Sequence, residues 1–122
     1  MKSHHELKVW RTAIKLAKSV YELTREFPKE ELYGLTSQMR RAATSIASNI
    51  AEGAARNGTK EFIQFLYIAV GSANELDTHV EISKEFGFMS PEKGSSLQQD
   101  ITEVLKMMRG LVRSLKVGLE LE

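Results

Sequence analysis

The chain has 122 residues, 42% hydrophobic and 27% charged, with two prolines and no cysteine; that length suits one domain, here read as 1–122, with a core sufficient to fold unaided. Zero cysteine excludes disulfide scaffolds, thiolate metal sites and cysteine nucleophiles. The first residues, Met-Lys-Ser-His-His-Glu, lack the apolar stretch of a signal peptide, and no run approaches the ~18 apolar residues of a membrane span, so a cytoplasmic location is expected.

The net charge of +1 is the remainder of 17 basic and 16 acidic residues, and these are segregated. Residues 1–60 hold 11 Lys and Arg against 6 Asp and Glu, whereas residues 61–122 hold 6 against 10. A basic and an acidic face serve either a polyanion or complementary packing between subunits.

Residues 6–26 contain no Pro or Gly, and Trp10, Ile14, Ala17, Tyr21 and Thr24 recur at helical steps, which predicts helix one. Phe27-Pro28 stops it, because proline disfavours helical geometry in the residue before it. After Tyr33-Gly34, the residues Leu35, Met39, Ala42, Ile46, Ile50 and Gly53 predict helix two over 36–55, with Thr36 or Ser37 as N-cap. Its small residues, among them Ala43, Ala47 and Ala51, let helix axes approach closely, with Gly71-Ser72-Ala73 as the matching narrow place. Arg56-Asn57-Gly58-Thr59 reads as a turn, Thr59 as the cap of helix three over 60–86, and Gly87 as its left-handed C-terminal residue. Ser90-Pro91-Glu92 then opens helix four, over 91–117, with cap, first-turn proline and early acid in order. Short connections make sequential neighbours antiparallel, so the expected fold is all-α: an up-down-up-down antiparallel four-helix bundle.

Helix four is a clean amphipath, with Lys106, Arg109, Arg113 and Lys116 opposite its apolar face. Helix one is not: Leu7, Val9, Ala13, Leu16, Val20 and Leu23 widen its apolar arc to roughly 200°. On helix three, Phe62, Leu66, Ala69, Ala73, Leu76 and Val80 form one stripe. Ile68, Ile82 and Phe86, with His79 among them, form another roughly 120° away. One bundle core cannot cover both, and contiguous apolar surplus marks an interface. A homo-oligomer is therefore expected, with Trp10, Phe62, Phe65, Ile68, Ile82 and Phe86 as candidate interface residues.

Lys8, Arg11, Lys15, Lys18 and Arg25 share one arc of helix one, interrupted by Glu22. Arg40 and Arg41 add charge at the start of helix two, and Arg56 with Lys60 brackets the following turn, where free N–H groups also suit phosphate. Lys8, Arg11, Lys15, Lys18, Arg40, Arg41 and Arg56 are the candidate nucleic-acid-binding residues, with RNA or another nucleic acid as the expected partner. The alternative is a structural or protein-binding scaffold in which the basic half of one subunit meets the acidic half of another. Arg41, Ser45, Ser48, Glu52 and Arg56 lie along one side of helix two, and Glu52 and Arg56 have ion-pair spacing. Asn49, at the edge of the core stripe, Glu52 and Glu75 are read as structural polar residues.

No enzyme is expected. A two-metal carboxylate site in a bundle needs Glu-x-x-His pairs from two helices, and the chain offers only Glu75-x-x-x-His79 on one. His4 and His5 are terminal, and no glycine-rich phosphate loop or nucleophile elbow occurs. No metal, cofactor, small-molecule substrate or membrane role is expected.

Several segments carry a family resemblance: Leu7-Lys8-Val9-Trp10, Phe27-Pro28-x-x-Glu31, Tyr33-Gly34-Leu35-Thr36-x-Gln38-x-Arg40-Arg41-Ala42, Ser45-Ile46-x-x-Asn49-Ile50-Ala51-Glu52-Gly53, Phe62-x-x-Phe65-Leu66 and Ala69-x-Gly71-Ser72-x-x-Glu75-Leu76. Over nearly its whole length the chain resembles the bacterial four-helix-bundle proteins encoded within intervening sequences of 23S rRNA genes. Members often carry a ribosomal-protein name, which reflects where the genes lie. The resemblance implies an up-down bundle assembled into a ring-like homopentamer and no known catalytic activity. A more distant similarity, to the accessory variability determinant proteins of diversity-generating retroelements, implies nucleic-acid binding through basic surfaces.

Overall fold

A computed structural model of the chain describes residues 3–121. Met1, Lys2 and Glu122, the ends of the expected 1–122 domain, lie outside the described residues. Four α-helices and no strand occur among those residues: α1 (Lys8–Thr24), α2 (Leu35–Ala54), α3 (Thr59–Glu85) and α4 (Pro91–Glu120). Each helix packs on its neighbours in sequence, α1 and α4 close the circuit, and the backbones of the diagonal pairs, α1 with α3 and α2 with α4, nowhere approach within 8 Å. This is the expected antiparallel four-helix bundle.

Helix ends follow from local chemistry. Ser90 Oγ accepts from Lys93 N at 3.2 Å and Pro91 is the first residue of α4, as its sequence predicts. Gly87 has φ of 75°, the left-handed conformation that ends α3. Two expected caps are different. Gly34, not Thr36 or Ser37, precedes α2, and Glu31 Oε1 accepts from Leu35 N at 3.2 Å in place of a cap side chain. Gly58 precedes α3, so Thr59 is its first residue and no side chain caps it. Short 3-10 turns at His4–Glu6 and Lys29–Glu31 shorten α1 and bring Glu31 to the start of α2. Helix α4 runs past residue 117, and Leu119 still packs against the core.

The core contains Val9, Ala13, Leu16 and Val20 from α1, Met39, Ile46 and Ile50 from α2, Leu66, Ala73 and Leu76 from α3, and Leu97, Ile101, Val104 and Met108 from α4. Helices α2 and α3 approach closely at Gly53. A Cβ on Gly53 would lie 2.7 Å from Phe65 Cβ, whereas one on Gly71, the expected narrow point, would meet open space. Alanines 42, 43 and 47 are buried along the same helix, among the small residues expected to let helix axes approach closely.

The two apolar stripes of α1 have separate fates. Val9, Ala13, Leu16 and Val20 point inward, while Ile14 is 44% exposed and Tyr21 39%. The outer stripe of α3 is likewise uncovered, with Ile68 at 52% and Phe86 at 66%.

Candidate functional site

Both uncovered stripes lie beside α2, on adjacent sides of the bundle. On α1, Ile14 and Tyr21 are seven residues apart, and Arg11, Lys18 and Arg25 form a second seven-residue column next to them. Columns of this period stay on one helix face, drifting only about 20° per step. On α3, Glu61, Ile68, Glu75 and Ile82 form a single such column, all of it exposed. One apolar face is thus bounded by cations and the other by acids. The acidic column escaped attention in the sequence because Glu75 reads as a structural residue; its seven-residue spacing from Ile68 and Ile82 is the signal that reveals it.

The six interface candidates divide. Ile68, Ile82 and Phe86 are exposed on the α3 side. Phe62 is buried in the subunit's own core, and Phe65 is half-buried against Gly53 with the Arg56 guanidinium 4.9 Å from its ring centre. Trp10 is half-buried, with the His4 and His5 rings edge-on to it at 4.9 and 4.8 Å.

The basic candidates do not converge on one surface. Arg40 is a clamp between helices: its Nε donates to Thr24 Oγ1 at 3.0 Å and its guanidinium carbon lies 4.6 Å from the centre of the Tyr21 ring. Arg56 donates to Glu52 Oε1 at 2.6 Å, the i,i+4 pair expected from their spacing. Arg41 is on the opposite, α3-facing side of α2. Lys8, Arg11, Lys15 and Lys18 remain exposed along α1, where Lys18 lies 4.0 Å from Glu22 and Arg11 donates to His5 O at 2.8 Å.

A polar groove of about 320 Å³ runs between α2 and α3, lined by Gln38, Arg41, Ala42, Ser45 and Glu75. Ser45 Oγ and Ser72 Oγ are 2.9 Å apart, and Asn49 Nδ2 donates to Ser45 O and Oγ at 2.8 and 3.0 Å. The Asn49 amide nitrogen is therefore held within α2. Arg41 and Glu75, a cation and an acid in one groove, form no ion pair with each other.

Some groups depart from their sequence reading. His79 does not project into solvent with Ile82 and Phe86: its Nδ1 and Nε2 are both buried, without a hydrogen-bond partner among the described residues. Between α3 and α4, the Lys84 stem lies over Gly94 while Nζ donates to Gln98 Oε1 and Ser95 Oγ. Glu81 has its carboxyl held below the ordinary value by the amide of Gln98 and the charge of Lys84. No group of three His, Asp or Glu among the described residues is placed to hold a metal ion, and no helix there is long and apolar enough to cross a membrane.

The model of the 23S rRNA-intervening sequence protein family matches residues 5–110. A crystal structure of a protein with unknown function from the S23 ribosomal protein family of Bacteroides thetaiotaomicron is similar, with a TM-score of 0.80 and 25% identity over 86% of this chain and 95% of that one. No curated protein matches. The chain belongs to the 23S rRNA-intervening sequence protein family.

Proposed function

We propose that this member of the 23S rRNA-intervening sequence protein family is a non-enzymatic bundle that assembles head to tail into a closed ring of identical copies. The observation that carries the reading is the pair of uncovered apolar faces on adjacent sides of one subunit, cation-bounded on α1 and acid-bounded on α3. Two different faces on one chain favour a heterologous contact, and such contacts close into rings when the rotation allows. Sides of a four-helix bundle that share one helix face about 90° apart, while a ring of four needs about 90° and a ring of five about 108° between its contacts. Five is the number implied by the family resemblance. In this arrangement the small-residue helix α2 lines the axis and the charged face of α4 is outermost.

Variants at the two faces test this directly. Ile14→Glu leaves the α3 face intact and Ile68→Glu leaves the α1 face intact, so each alone is expected to lose the ring. Mixed together, they can make one good contact and are expected to form a heterodimer. A mixture that stays monomeric contradicts head-to-tail packing.

A second reading, RNA binding, rests on the four exposed cations of α1. Arg40 and Arg56 have partners within the subunit, which narrows the original candidates. Lys8 and Lys15 lie away from the apolar column and would repeat around the ring as a polyanion contact. RNA affinity is then expected to fall by powers of ten over a few-fold rise in salt, and Lys8→Glu with Lys15→Glu to abolish it while leaving assembly unchanged. Absence of structured-RNA retention at low salt removes this reading.

A further inference from the structure

The groove between α2 and α3 contains one acid, Glu75, with no ion-pair partner among the described residues. We infer that Glu75 receives Lys18, with Arg11 as the adjoining cation of the same column, from α1 of the next copy, and that this contact sets the register of the subunits. The inference rests on the head-to-tail assembly proposed above and names the residues that direct it.

The heights of the residues along the bundle support this register. Lys93 Nζ donates to Glu26 Oε2 at 3.4 Å, and Leu16 and Ser19 line one hollow with Asp100 and Glu103, which aligns α1 with α4. Lys84 reaches Ser95 and Gln98, which aligns α4 with α3. Through α4 these contacts place Ile14 level with Glu75, whereas through α2, where Arg40 reaches Thr24 and Tyr21 and Ser45 Oγ meets Ser72 Oγ, Tyr21 is level with Glu75, so the height of Glu75 lies between those of Ile14 and Tyr21. Rotation about an axis parallel to the helices preserves height. When α1 of one copy meets α3 of the next, Glu75 faces the stretch from Ile14 to Tyr21.

Lys18 then lies within about four residues of the level of Glu75, roughly 6 Å of rise, and Arg11 is the next cation of the same column. A lysine side chain is long enough to span that offset. Neither cation has a strong partner at home: Lys18 is 4.0 Å from Glu22 and largely exposed, and Arg11 holds only a backbone carbonyl among the described contacts. The contact also accounts for an acid placed between Ile68 and Ile82. A wholly apolar column would accept any sliding offset, whereas an acid that meets a cation favours one.

Charge reversal with cross-rescue tests the inference, with mass read by light scattering and folding by circular dichroism. Glu75→Lys alone, and Arg11→Glu with Lys18→Glu, are each expected to shift assembly to at least tenfold higher concentration. The triple variant is expected to assemble like the original protein. Because the α1 and α3 backbones nowhere approach within 8 Å inside a bundle and Arg11, Lys18 and Glu75 are on its outer surface, rescue has to act between copies. Unchanged assembly in both charge variants, or no rescue in a folded triple variant, overturns the register. If Ile14→Glu and Ile68→Glu still dissociate the ring in that case, the head-to-tail reading survives without it.

Discussion

The guanidinium of Arg40 lies over the ring of Tyr21, 4.6 Å from its centre, and pins that side chain at the edge of the uncovered α1 face. The same arginine donates to Thr24 Oγ1 at 3.0 Å and to Tyr21 O at 3.4 Å, joining α1 to α2. Arg40→Ala removes a cation–π contact and a partly buried hydrogen bond, so chemical denaturation is expected to give a loss of about 1–2 kcal/mol. RNA retention, if observed, is expected to be unaffected at equal folded fraction. A variant that loses RNA while keeping full stability would return Arg40 to the basic surface.

Gly53 permits a close approach of α2 to α3. A methyl group there would sit 2.7 Å from Phe65 Cβ and 3.3 Å from the Phe62 carbonyl, neither of which is the free end of a flexible chain. Gly53→Ala is therefore expected to lower stability by about 1–3 kcal/mol despite the better helix propensity of alanine. Gly71→Ala, with open space around it, is expected to be neutral or stabilising by up to about 1 kcal/mol. Thermal melts of the two variants check the contrast.

His79 has two buried ring nitrogens without partners. Replacing such a group by an apolar side chain removes an unsatisfied polar cost, so His79→Leu is expected to raise stability by about 1 kcal/mol in denaturant unfolding. A marked loss would show that the imidazole has a partner in the assembled protein.

Glu81 provides a pH signature. The Gln98 amide and Lys84 hold its folded carboxyl below the ordinary value of 4.5. It therefore contributes stability above that value, which disappears as pH falls through the lower, folded value. Melting temperatures of the original protein and Glu81→Gln are expected to differ near neutral pH and to converge as pH falls through the lowered, folded value. A gap that widens in acid would contradict this sign.

The bundle and its punctuation were legible because Phe27-Pro28, Gly87 and Ser90-Pro91 act through local chemistry. The cap of α2 was not, since its acceptor is a Glu31 carboxylate delivered by a preceding 3-10 turn. Periodicity also could not choose between the two stripes of α1. Val9, Ala13, Leu16 and Val20 are as helical in spacing as Trp10, Ile14, Ala17 and Tyr21, and packing against α2 and α4 decides which turns inward. Arg40 and Arg41 make the same point: adjacent in sequence, they are about 100° apart on the helix, so one clamps α1 and the other enters the α3 groove.

The mass of the unmodified protein in solution, measured by light scattering at tens of micromolar in moderate salt, tests the central claim most directly. Head-to-tail ring closure predicts one discrete species of several copies, five times 13.7 kDa if the ring is a pentamer. A species of 13.7 kDa that persists across that concentration range would contradict the account of the α1 and α3 faces.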